Sequence, residues 1–174
     1  MIGVASAAAL LLSVGLLWAR RIDTALQLCA LQALAAAVSL GQVTPTAAIL
    51  AFALNGVALP LAIARRHRAT MLEARGGAFL SWAVVLALVA LTGVAFARVG
   101  ADGLVAAGVS VALLGLLLIA LRAHPLAPAL GLLSSQNGLV MLAGAQSELP
   151  LPTALAVALP LVPALVLAES WQRR

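Results

Sequence analysis

PALGLLSSQNGLVMLAGAQ, Pro128 to Gln146, is an apolar run long enough to cross a bilayer, with four consecutive uncharged polar residues near its middle: Ser134, Ser135, Gln136 and Asn137. A hydrocarbon core offers side-chain amides no water, so such a cluster must face other protein or a wet cavity. The stretch therefore predicts a membrane helix enclosed by a helical bundle.

Composition points the same way. Of 174 residues, 64% are hydrophobic and 9% charged, against roughly 25% charged in a soluble domain. The expected class is an all-α integral membrane bundle of about seven transmembrane helices of ~20 residues each, with no room for a further soluble domain. All ten basic residues are arginine. They gather between the apolar runs, so the net charge of +5 reads as membrane topology rather than a nucleic-acid surface. The single cysteine, Cys29, lies in an apolar segment and can form no internal disulfide; a lone cysteine also excludes a thiolate cluster for zinc or iron and sulfur.

Before the polar stretch, the chain offers five further spans. Ile2 to Trp18 is followed, not preceded, by Arg20 and Arg21, the reverse of a cleaved signal. Thr24 to Leu40 carries Gln27 and Gln32, both expected to face neighbouring helices. Thr46 to Ala64 holds Asn55 at mid-depth with Pro60 five residues later, and ends at Arg65, Arg66, His67 and Arg68. Gly77 to Ala97 closes at Arg98, and Leu104 to Leu121 closes at Arg122 and His124. After the polar stretch, Thr153 to Ala168 is interrupted by Pro160 and Pro163. The chain thus divides into residues 1–64 with three helices, a loop over 65–76, a fourth helix and turn over 77–103, and the last three helices over 104–174.

With the N-terminus outside and seven spans, nine arginines fall in cytoplasmic segments and only Arg98 on the other side, as the positive-inside rule requires. The RRHR run at Arg65 to Arg68 is explained by that rule. It would also attract anionic lipid headgroups, at about 1 kcal/mol per arginine near the surface.

Several activities, that of an intramembrane enzyme among them, are disfavoured by what the spans lack. No Asp, Glu, Lys or Arg lies at the middle of any span, and His67 and His124 sit beside arginines in loops. A carboxamide cannot change its protonation state, so transfer of protons through the core lacks an ionisable carrier. Heme ligation and zinc or serine intramembrane proteolysis lack their deep ligands or base. No catalytic residue, cofactor site or metal site is expected.

The deep neutral residues Gln32, Asn55, Ser134, Ser135, Gln136 and Asn137 are the candidate functional set. One reading has them bond helices together, at about 0.6 kcal/mol each. Small residues four apart, Gly131 with Ser135 and Ser134 with Gly138, suit close helix approach. The other reading has the polar set hold waters along a proton path.

The run LGLLSSQNGLVMLAG, Leu130 to Gly144, followed by a turn and a final span ending in arginines, resembles the end of component E of hydrogenase-4 and formate-hydrogenlyase type membrane complexes. There a Glu-Asn-Gly triplet occupies the corresponding helix. The last three spans of that component are in turn similar to the K subunit of respiratory complex I, an NADH dehydrogenase. LQLCALQALAAAVSL, Leu26 to Leu40, is similar to the family's second span with its internal glutamine, here Gln32. The family's lysine five residues before a proline falls on Asn55 ahead of Pro60.

Three ionisable positions of that family are neutral in this chain: Gln136 stands for the glutamate, Asn55 for the lysine, and Pro160 for a carboxylate of the last span. The resemblance implies a non-catalytic membrane subunit of an ion-translocating redox complex in a bacterial or archaeal cytoplasmic membrane. Its expected partners are antiporter-like membrane subunits and membrane lipids. An alternative is a stand-alone secondary transporter for a small neutral solute, with Asn55 and the Ser134 to Asn137 cluster as binding groups.

Overall fold

The computed structural model describes residues 2–41, 44–66, 78–99, 103–122 and 124–145. The expected seventh span, Pro160 and most of the 65–76 loop lie outside the described residues. Among the described residues the chain is all-helical. α1 (Ile2–Trp18) and α2 (Ile22–Gly41) are followed by α3 (Pro45–Ala51), a π-helical segment (Phe52–Ala58) and α4 (Leu59–Arg66), which run on without a break. Then come α5 (Ala78–Val99), α6 (Gly103–Leu121) and α7 (Ala127–Ala145).

Three helical stretches are long and apolar enough to cross a membrane: Ile22–Gly41, Pro45–Arg65 and Gly103–Leu121. Shorter apolar helices cover Val4–Trp18 and Ala83–Val94. The polar tetrad dilutes the apolar character of α7, a helix of 19 residues.

Local chemistry sets the ends. Pro45 occupies the first turn of α3, where its missing N–H costs nothing. Asp23 sits in the first turn of α2, favourable for the helix dipole. The π-helical turn has a cause one residue beyond it. In a regular α-helix the ring of Pro60 would press on the Gly56 carbonyl and withhold the N–H that carbonyl expects. The turn widens instead, and the Leu59 N–H reaches back five residues to the Leu54 carbonyl.

The arrangement is a ring of four helices, in which α2 packs between α1 and α7, and α6 closes the ring by touching α7 and α1. The α3–π–α4 rod lies against α2, and α5 lies against α6. The α6/α7 contact is the closest. A Cβ on Gly115 would sit 2.5 Å from the backbone nitrogen of Ser135, and one on Gly138 would sit 2.5 Å from the Gly108 carbonyl oxygen. Gly131 and Ser135 therefore serve close approach to α6, as does Gly138, whereas Ser134 turns toward α2.

Two apolar layers fill the bundle. At the end carrying Arg20, Arg21 and Arg122, larger side chains interlock, including Ile22, Leu26, Leu114, Leu118, Leu130 and Leu133. At the opposite end the layer is built mainly of alanines, among them Ala36, Ala47 and Ala107, around Leu40, Val111 and Met141. Arg122 is itself buried, and its guanidinium donates to the carbonyl oxygen of Leu17 in the last turn of α1. It thereby caps a helix end whose carbonyls lack intrahelical partners. Burial, and then the charge of Arg20, hold the pKa of Arg122 below its ordinary value.

Candidate functional site: a polar layer at mid-bundle

Between the two apolar layers lies a sheet of amides and hydroxyls. Gln32 on α2 is its hub. Its Nε2 donates to Ser13 Oγ of α1 at 2.6 Å and to Ser134 Oγ of α7 at 3.0 Å. Its Oε1 accepts from Asn137 Nδ2 of α7 at 3.2 Å. Both amide hydrogens of Gln32 are thus used, and the site joins α1, α2 and α7 through one side chain. Ser13 passes the chain of donors on to the Ala9 carbonyl at 2.7 Å.

The layer loosens toward the π-helical segment. Asn137 Nδ2 also reaches the Cys29 carbonyl at 3.5 Å, and Asn55 Nδ2 reaches Asn137 Oδ1 at 3.4 Å, both at the long limit of a hydrogen bond. Asn55 is 1% exposed, and its Oδ1 has no hydrogen-bond partner. The widened turn brings Asn55 to the layer without fully satisfying it. Such an acceptor costs roughly 1–3 kcal/mol unless water reaches it.

All six candidate residues are buried, but they divide into groups. Gln32, Asn55, Ser134 and Asn137 meet in the layer. Ser135 points to α6, donating to the Ala112 carbonyl at 2.9 Å. Gln136 is buried on α7, next to both groups in sequence. Gln27, expected to face neighbouring helices, is instead exposed. It sits within two turns of the start of α2, near enough to the helix end for its amide to reach polar headgroups, so burial is not forced on it.

Two contributors escape a sequence reading. Ser13 is the second anchor of Gln32, yet a serine in a membrane helix usually needs no partner beyond its own backbone. Thr92 on α5 and Ser110 on α6 share a hydrogen bond of 2.7 Å, which ties α5 to the ring away from the main layer. Both residues also bond carbonyls of their own helices, so each alone looks self-sufficient.

Chemically the layer is a directional relay of donors, from Asn55 through Asn137 and Gln32 to Ser13. Every member is a carboxamide or hydroxyl. Asp23, at the start of α2, is the only carboxylate among the described residues. The arrangement can hold helices and orient water, but these groups do not exchange protons near neutral pH. No protein-family model matches the chain, and neither the curated proteins nor the solved structures show a significant match to it.

Proposed function

We propose that the protein is a non-catalytic membrane subunit, a helical scaffold that other membrane subunits pack against. The observation that carries this reading is the use made of the deep polar groups. Gln32 spends both amide hydrogens and its oxygen on Ser13, Ser134 and Asn137, so the hub of the layer is committed to joining helices rather than to gripping a solute. A secondary transporter for a neutral solute needs a converging set of free donors at mid-depth.

The assembly we propose is an ion-translocating redox complex of the complex I and hydrogenase-4 kind, with antiporter-like subunits as neighbours. The support is the resemblance of Leu130 to Gly144 and of Leu26 to Leu40, together with the neutral residues Gln136 and Asn55 at positions where that family ionises. In this reading the chain has seven spans in a bacterial or archaeal cytoplasmic membrane, N-terminus outside and arginine-rich ends inside. The subunit keeps the packing of the family and gives up the titrating side chains, so protons cross in its neighbours. The orphaned Asn55 Oδ1 supports one further duty, bordering a hydrated path along α7.

A pull-down of the chain from its native membrane in mild detergent, followed by mass spectrometry, tests the proposal. Large antiporter-like subunits and a hydrophilic redox module are expected to come with it. Recovery of the chain alone, as a stable monomer or homodimer that binds a neutral solute, would overturn it. In the assembled complex, Asn55→Lys with Gln136→Glu restores ionisable groups and is expected to change ion coupling while leaving assembly intact.

A further inference from the structure

A groove of about 500 Å³ runs between α2 and the rod that faces it, with Asp23, Gln27 and Ala30 on one wall and Gly56, Val57 and Leu61 on the other. From Asp23 to Ala30 it follows α2 for seven residues, or about 10 Å of helix. It therefore descends from the arginine-bearing end of the bundle toward mid-depth. Its deep end is open because the residues there are Ala30 and Gly56. A Cβ on Gly56 would lie 2.7 Å from the Phe52 ring, so the packing of the π-helical turn keeps that wall low. Val57 and Leu61 are about half exposed along the outer rim, so the groove opens sideways, where the hydrocarbon of a membrane would lie.

Polarity is confined to the mouth. Asp23 and Gln27 are four residues apart on α2 and share a face. Arg21 Nη2 lies 3.5 Å from Asp23 Oδ2, and both side chains remain well exposed, at 62% and 45%. This is a loose pair of opposite charges with both partners still accessible. Below it the walls are aliphatic. Water has no reason to fill such a slot, whereas an acyl chain meets walls as apolar as the membrane interior.

We propose that this groove binds one phospholipid with a primary-ammonium, zwitterionic headgroup, its phosphate at Arg21, its ammonium at Asp23 and Gln27, and one acyl chain lying along Ala30, Gly56, Val57 and Leu61. The two charges of the mouth are complementary to the two charges of such a headgroup. A primary ammonium carries three N–H donors for the Asp23 carboxylate and the Gln27 amide oxygen. A quaternary choline carries none. A purely anionic headgroup would satisfy Arg21 and be repelled by Asp23. Another groove, between α1 and α2, is lined by apolar residues such as Val4, Leu12, Leu31 and Val38; with no polar mouth it has no means of choosing a headgroup.

The test uses the full chain purified in mild detergent, with whatever subunits accompany it. Dioleoyl phosphatidylethanolamine, phosphatidylcholine or phosphatidylglycerol is added, and bound lipid is counted by native mass spectrometry. Thermal unfolding is followed in parallel by tryptophan fluorescence. Phosphatidylethanolamine is expected to bind at one per chain and to raise Tm more than the other two. Asp23→Asn is expected to lower its occupancy by up to about fivefold, the loss of one exposed carboxylate–ammonium pair, and to erase its advantage over phosphatidylcholine. Ala30→Phe, which fills the deep end, should abolish the bound lipid; Asp23 is exposed, so its variant remains decisive if Ala30→Phe folds poorly. Equal binding of ethanolamine and choline lipids would overturn the proposal, and so would a preference for phosphatidylglycerol or an unchanged preference in Asp23→Asn. A groove filled by a co-purifying protein helix, with no lipid retained, would overturn it too.

Discussion

Gln32 and Asn55 are both carboxamides, both 1% exposed, and differ in how much the fold asks of them. Gln32→Leu keeps the volume but strands Ser134 and Asn137, so it should destabilise the bundle by about 1–3 kcal/mol. Asn55→Leu removes one long bond and an orphaned oxygen, and should cost about 0.6 kcal/mol or less. Equilibrium unfolding in mixed micelles, titrated with sodium dodecyl sulfate, measures both; equal losses would show that the 3.4 Å contact matters more than its length suggests. Cys29 is fully buried and should resist a membrane-permeant maleimide until the bundle is unfolded, because a reactive thiolate needs access. At this scale the sequence was informative wherever lipid forbids solitude. An amide in mid-span must have a partner, so Gln32 and Asn137 declared themselves, but the identity of each partner did not. Gln27 looked equivalent to Gln32 and is not, because nearness to a helix end gives its amide a way out.

Helices pack here by two devices, bare backbone and a widened turn, and each makes its own prediction. Gly115→Ala would drive a methyl into the Ser135 backbone and should cost about 1–3 kcal/mol by overpacking. Gly93→Ala on α5 meets nothing within 4 Å, so it should be neutral or stabilise by up to about 1 kcal/mol through helix propensity. The same unfolding titration ranks the pair, and a reversed order would mean that α6 and α7 are not pressed together as described. Pro60→Ala supplies the N–H that the proline withholds and should let the π-helical turn narrow. Asn55 would then rotate away from Asn137, and a double-mutant cycle between the two should lose its coupling in the Pro60→Ala background. Small residues four apart on α7 were visible in the sequence as a contact surface. The π-helical turn was not, because a proline announces only that the ladder is disturbed, and kinking or widening both answer it.

Seen whole, the bundle is a stack: a leucine-rich layer at the arginine end, a polar layer, then an alanine-rich layer. The bond from Arg122 to Leu17 and the close pass of Gly144 against Leu40 show that α1, α2, α6 and α7 keep their ends in common. Single cysteines replacing Arg20 and Thr44 in a Cys29→Ala background should accordingly be labelled from opposite faces of sealed vesicles. Labelling of both from one face would defeat the membrane-spanning arrangement of α2. The helical and membrane character was legible from hydropathy alone, since little else can satisfy a backbone in lipid. The neighbour relations were not, because nearly every helix face is apolar and carries no stripe to mark an inside. The polar layer has a further consequence for the order in which the chain is made. Ser13 and Gln32 leave the ribosome early and can pair at once, but Asn55 then waits through two more helices before Asn137 appears. A nascent chain halted before α7 would leave an amide in the membrane with its acceptor not yet synthesised, which marks it as unfinished to any machinery that surveys the bilayer. Arrival of the last described helix closes the layer and removes that mark.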